Sequence, residues 1–124
     1  MQIMIDIEAP IPLFTQLIAQ IKQAVVNGDI LPGAALPSIR QLANDLEINN
    51  KTVAKAYSLL ERDSVIQSKG YRGSFIHPDA VANSTVDLNK WVEKTLTKTI
   101  SDFKQAGVTD SEIRIAFGNV LKNK

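Results

Sequence analysis

The sequence has no cysteine, one histidine, one tryptophan and few aromatic residues of any kind, 6% of 124. Without thiols there is no disulfide and no thiolate metal site, although a cysteine-free chain suits either redox compartment. The lone imidazole, His77, has no second histidine or acid at a metal-binding or catalytic spacing, so it is expected to end a strand. The carboxylate pairs Glu61/Asp63 and Asp110/Glu112 read as helix-surface charges rather than a matched acid and base. No metal, no cofactor and no enzyme activity are expected. No apolar run reaches the roughly 18 residues of a membrane span, no secretory leader pattern opens the chain, and no low-complexity tract interrupts it. These lacks predict a soluble, cytoplasmic protein with no membrane partner. Charge of one sign is also missing: 14 Lys and Arg against 13 Asp and Glu leave +1, which alone names no polyanionic partner. Between Arg40 and Arg72 the basic residues Arg40, Lys51, Lys55, Arg62, Lys69 and Arg72 outweigh Asp45, Glu47, Glu61 and Asp63, a net of +2 and only a mild bias.

What is present is an apolar content of 44%, enough for a core, arranged mostly at helical spacing. Leu13, Leu17, Ile21, Ala24 and Val25, widened by Phe14 and Ile18, predict an amphipathic helix over Pro12 to Asn27 that Gly28 stops. Leu31-Pro32-Gly33 reads as a turn, and Leu36-Pro37 brings the chain in extended form to Ser38. Ser38 and Gln41 have capping-box spacing, and Ile39, Leu42, Ala43 and Leu46 make a short second helix over Ile39 to Leu46. After a brief Glu47-Ile48-Asn49 connection, Asn49 is placed to cap a third helix to about Asp63, with Val53, Ala56, Tyr57 and Leu60 turned inward. Two short helices joined by so short a link are a helix-turn-helix candidate.

From Val65 the period changes. Val65 to Ser68 and Ser74 to His77 read as the strands of a hairpin around Lys69-Gly70-Tyr71-Arg72-Gly73, a wing beside the helix pair. Pro78 to Thr85 is small, polar and aperiodic, and is expected to be a linker. Beyond it, Leu88, Trp91, Val92, Leu96, Ile100 and Phe103 predict a helix from Val86 to about Ala106, ended by Gly107. Thr109 or Asp110 starts another, carrying Ile113, Ala116, Phe117, Val120 and Leu121. A helical hairpin of about 40 residues cannot bury both stripes within itself, so either the N-terminal unit or a second copy of the chain must cover it, and the second copy is the expected one. The fold expected is mainly α, with a winged helix-turn-helix over residues 1–78 and a two-helix dimerisation region over 79–124.

The run Pro12-Leu13-Phe14 to Ile21, Gly28-Asp29-Ile30-Leu31-Pro32-Gly33 and Leu36-Pro37-Ser38-Ile39-Arg40-Gln41-Leu42-Ala43 closely resembles the GntR family of bacterial regulators. So do Asn49-Asn50-Lys51-Thr52-Val53-Ala54-Lys55-Ala56-Tyr57, Leu60-Glu61 and Gly73-Ser74-Phe75-Ile76, which extend the likeness over Pro10 to Pro78. The short helical tail is similar to that of the YtrA-like subfamily. The resemblance implies a third helix in the major groove, a wing at the adjacent minor groove or backbone, and C-terminal helices that dimerise. It matches Arg40, Thr52 and Lys55 to positions that contact bases or phosphates, and Gly73 to the wing glycine. Asn50, where many members have proline, and Lys51, where asparagine or aspartate is frequent, depart from the pattern, as does the wing tip. A repressor acting on an inverted-repeat operator, often that of its own operon encoding an ABC transporter, is what the subfamily implies.

The DNA-facing set expected is Ser38, Arg40, Asn50, Lys51, Thr52, Lys55, Lys69, Gly70, Arg72 and Gly73. Arg40 lies in the first turn of its helix, where a cation opposes the helix dipole, so its placement points to an outside anion unless Asp45 or Glu47 pairs with it. Tyr57 is core, its hydroxyl within reach of a phosphate. The dimer set expected is Leu88, Trp91, Val92, Leu96, Ile100, Phe103, Ile113, Phe117, Val120 and Leu121. A protein-interaction module and a ligand switch in the hairpin are the competing readings. No small-molecule effector is named by the sequence, and the short tail leaves little space for one.

Overall fold

Leu17, Ile18, Ile21, Ala24 and Val25, spaced to share one face, are buried along helix α1 (Leu13–Val26) and form the floor of the first unit. The computed structural model describes Gln2 to Asn123; residues 1 and 124, the outer limits of the two expected domains, lie outside it. On α1 packs α3 (Asn50–Arg62), and on α3 packs α2 (Ile39–Leu46), which together add Leu42, Ala43, Val53, Ala56, Tyr57 and Leu60 to one continuous core. The α2 stripe is narrower than expected: Ile39 is exposed, because the chain enters α2 from outside the core at Ser38. Strands β1 (Ile66–Ser68) and β2 (Ser74–Ile76) pair antiparallel with Ile66 opposite Ile76 and Ser68 opposite Ser74. Val65, read as the first strand residue, instead closes the turn after α3 and is fully buried.

The outer edge of β2 is occupied by the loop that leads into α2. Gly33 donates its backbone N–H to the Ile76 carbonyl (2.9 Å), Ile76 donates to Ala34 (2.8 Å), and Leu36 donates to Ser74 (2.9 Å). The wing is therefore bonded to the chain just before the helix pair, and its edge is covered rather than open.

Pro78 to Thr85, expected to be a linker, holds the short helix α4 (Ala80–Ser84), which packs on α1 and buries Ala80 completely. Asn83 Nδ2 donates to the Ser64 carbonyl at 2.8 Å, and Lys22 Nζ bonds both Asp63 (3.4 Å) and the Val86 carbonyl (3.3 Å). These bonds carry the first unit through Val86, so it ends eight residues later than Pro78; the second unit starts at Asp87. The N-terminal segment is also part of the first unit. Gln16 and Gln20, one turn apart on α1, each hold it by side-chain amide to backbone bonds, at Asp6 (2.9 Å) and Met4 (2.8 Å), while Ile3 and Ile5 pack against the core.

The second unit is α5 (Leu88–Gln105) and α6 (Asp110–Lys122). Asp87, not Val86, opens α5 by accepting from the Lys90 N–H. Thr109 and Glu112 form a complete capping box at α6. No residue of either helix is buried. No helix among the described residues is long and apolar enough to cross a membrane.

Candidate nucleic-acid interface

The helix pair has the geometry that presents a helix end to a duplex. A three-residue link, Glu47 to Asn49, separates α2 from α3. Glu47 adopts φ 56°, and the Ile48 N–H reaches the Ala43 carbonyl at 3.0 Å while Glu47 reaches Asn44 at 3.2 Å. This is a Schellman closure, with Ile48 tucked half-buried against the core as its apolar plug. Asn49 then caps α3, its Oδ1 accepting from the Lys51 N–H at 2.7 Å.

With Val53, Ala56, Tyr57 and Leu60 buried, the first turns of α3 leave Asn50, Lys51 and Lys55 exposed and Thr52 half-exposed on the outer face. The positive end of the helix dipole adds to the two lysines there. Lys55 is not a free arm: its Nζ stands 4.0 Å from the centre of the Phe14 ring. Phe14, read as core, is half-buried and serves as a platform that limits where the ammonium points.

Ser38 caps α2, its Oγ accepting from the Gln41 N–H at 3.1 Å; the reciprocal half of the expected capping box is not among the bonds of the described residues. Arg40 follows, exposed, and among the described residues it pairs with no carboxylate, Asp45 and Glu47 included. Arg62, by contrast, is engaged: its guanidinium grips Asp63 at 2.8 Å and leaves the set of cations open to a ligand. The Asp63 carboxyl is held below the usual carboxylate range; burial pushes it upward, but the Arg62 hydrogen bond and the charges of Arg62 and Lys22 together outweigh that.

The Tyr57 hydroxyl does not face outward. It donates to the Pro37 carbonyl at 2.7 Å, and burial pushes the phenol up to about 12, so it is committed inside the fold and unavailable to phosphate.

At the wing, Gly70–Arg72 form one turn of 3-10 helix, closed by a 2.8 Å bond from the Lys69 N–H to the Gly73 carbonyl. Gly73 has φ 101° and ψ −160°, a conformation that side-chain-bearing residues avoid, and this lets the turn rejoin β2. Lys69, Tyr71 and Arg72 are all exposed, Tyr71 almost completely, and the Lys69 Nζ stands 4.9 Å from the Phe75 ring centre. His77, expected as the last residue of its strand, lies just past β2, which ends at Ile76; its N–H donates to the Val65 carbonyl at 2.9 Å and its Nδ1 accepts from the Asp79 N–H at 3.0 Å. No cluster of His, Asp and Glu suited to a metal occurs among the described residues. The sequence reading missed the Phe14 platform and the Pro37 anchor, both of which join residues far apart in the chain.

Residues 13–76, which span α1, the helix pair and the wing, match the model of the bacterial regulatory proteins of the gntR family. The chain belongs to the GntR family. It is 35% identical over 106 residues to the HTH-type transcriptional repressor YtrA of Bacillus subtilis strain 168, covering 86% of this chain and 82% of that protein. A transcriptional regulator from Oenococcus oeni superposes with a TM-score of 0.60 at 30% identity, over 98% of this chain and 99% of the other. YtrA from Sulfolobus acidocaldarius, a GntR-family transcription factor, gives 0.60 at 28% identity, over 80% and 97%. This GntR protein is thus YtrA-like, with the winged-helix fold expected of it. It is a DNA-binding transcriptional regulator and not an enzyme.

Proposed function

We propose that this regulator represses transcription as a cytoplasmic homodimer, binding an inverted-repeat operator through the first units of two copies joined by their second units. The observation that carries the dimer is the second unit itself, in which no residue of α5 or α6 is buried and even Leu96, Ile100 and Ile113 are only half-buried. Trp91 is 65% exposed and Val120 60%, and an apolar groove of about 410 Å³ runs between the helices, walled by Leu96, Ile100, Phe103, Ile113, Phe117 and Val120. Burial at about 25 cal/mol per Å² of apolar surface favours covering such a stripe, and a two-fold pairing covers it on both copies at once. In this reading Leu88, Trp91, Val92 and Leu121 belong to the same interface.

In this reading Arg40, Thr52 and Lys55 read bases or phosphates, Ser38, Asn50 and Lys51 line the same approach, and Lys69, Gly70, Arg72 and Gly73 meet the neighbouring groove or backbone. Repression follows the name of the Bacillus relative, and the regulator's own operon, including an ABC transporter, is the proposed target. No effector is needed for this action.

The test is selection of bound duplexes from a random pool by the full chain, with sedimentation of the free protein. The reading expects an inverted repeat whose half-sites lie a whole number of helical turns apart, and a dimer in solution. An asymmetric site bound by a monomer would overturn it.

A further inference from the structure

We infer that Tyr57 is a positioning residue for operator recognition: through its hydrogen bond to Pro37 it sets the direction in which Arg40 leaves the helix pair. The inference rests on the reading of Arg40 as a base-contacting residue.

Three consecutive residues ahead of Arg40 are each fixed by a different element. The Leu36 N–H donates to the Ser74 carbonyl of β2 at 2.9 Å, the Pro37 carbonyl accepts from Tyr57 of α3 at 2.7 Å, and Ser38 Oγ accepts from Gln41 inside α2 at 3.1 Å. Wing, recognition helix and the start of α2 thus meet on one short stretch of backbone. Pro37 contributes a fixed φ, so the stretch has little freedom once its carbonyl is held.

Of the three anchors, only the middle one belongs to α3. Tyr57 is 5% exposed in the core, so its ring arrives at one place and its hydroxyl with it. The bond spans 20 residues of sequence and is the tie between the middle of α3 and the residue preceding the α2 cap. Without it, α2 still packs through Leu42 and Ala43, but the stretch before its N-terminal turn keeps only the Leu36 bond to the wing and the burial of the Leu36 side chain, and loses its tie to α3. A two-pronged contact to a base edge tolerates little displacement, whereas a lysine meeting phosphate tolerates much. Loss of the hydroxyl should therefore degrade discrimination while sparing the phosphate contribution.

The experiment uses the full chain with Tyr57→Phe, Arg40→Ala, the double variant and Val53→Ala, the last a buried α3 substitution with no bond to Pro37. Binding is measured to the selected operator, to operators with single base-pair changes, and to random duplex, across salt. Tyr57→Phe should lower the ratio of operator to random-duplex affinity roughly three- to tenfold with the salt slope unchanged. Arg40→Ala should lose discrimination at one base pair per half-site, and in that background Tyr57→Phe should add nothing further. Val53→Ala should keep the wild-type ratio despite its loss of stability. A wild-type ratio for Tyr57→Phe, an additive effect in the double variant, or an equal loss in Val53→Ala would each overturn the inference. Undiminished discrimination in Arg40→Ala would instead overturn the reading of Arg40, and this inference with it.

Discussion

The ammonium of Lys55 on α3 stands 4.0 Å from the centre of the Phe14 ring on α1, so the first helix of the unit orients a cation on the outer face of α3. A lysine held over an aromatic face loses rotamers before any ligand arrives, and an exposed pair of this kind is worth about 0.5–1 kcal/mol. Lys55→Ala should lower the slope of log affinity against log salt by about 1, as expected for one lost phosphate contact. Phe14→Leu keeps the charge and should leave the slope alone while weakening binding a few-fold. Salt titrations of the two variants check this, and an unchanged slope in Lys55→Ala removes Lys55 from the phosphate contacts.

The turn of the helix pair carries removable strain. Glu47 holds φ 56°, a left-handed conformation that costs a residue with a Cβ about 1–2 kcal/mol, and its side chain is exposed. Glu47→Gly relieves that cost but adds freedom to the unfolded chain, leaving a net gain of about 0.5–1 kcal/mol. Denaturant unfolding should show the midpoint rise, and a fall would mean that the Glu47 side chain contributes a contact worth more than the strain.

Asp63 ties the end of α3 to α1 through Lys22 and is itself gripped by Arg62, with side-chain exposure of only 12%. Its carboxyl titrates below the ordinary range in the folded protein, so the folded state binds this proton less readily than the unfolded chain does. The stabilisation is present above the unfolded carboxylate pKa of about 3.9 and fades as pH falls through the lower folded value. Asp63→Asn should therefore cost about 1–2 kcal/mol at neutral pH and almost nothing in strong acid. Unfolding curves of both proteins from pH 7 downward should converge; a constant gap would place the loss in packing rather than charge.

Ile100 and Phe117 wall the apolar groove of the second unit from opposite helices. A carboxylate there cannot be buried without a partner, so Ile100→Asp should shift the protein from dimer to monomer in sedimentation velocity. Operator affinity should fall with it, because two half-sites are no longer linked, while the first unit stays folded. A dimer that persists in Ile100→Asp and in Phe117→Asp would move the interface elsewhere.

Helix ends show well what was readable. The closure with a bond five residues back occurs after α1, α2, α3 and α5, at Gly28, Glu47, Ser64 and Gly107. Where glycine stands, at Gly28 and Gly107, the stop was legible. At Glu47 and Ser64 the same turn is made by residues that announce nothing, and the signal available was the apolar plug that follows, Ile48 or Val65. Helix α4 gave no signal, because five small or polar residues have no period and it is held by Ala80 in the core and Asn83 on Ser64. Among the expected DNA-facing residues, Arg40 and Lys51 were legible as exposed cations. The restraint on Lys55 and the bond that commits the Tyr57 hydroxyl to Pro37 were not.

Local order came from the chain alone: apolar residues three and four apart, with Ser38, Asn49 and Thr109 as caps, were enough to place α1, α2, α3 and α6, since those forces act within a turn or two. The tertiary structure decided what joins residues 16 to 41 positions apart: Met4 to Gln20, Pro37 to Tyr57, and Lys22 to Asp63. Such bonds leave no periodic trace, because each joins an ordinary polar side chain to a main-chain group or a second side chain far along the chain, and only folding brings the two within hydrogen-bonding distance.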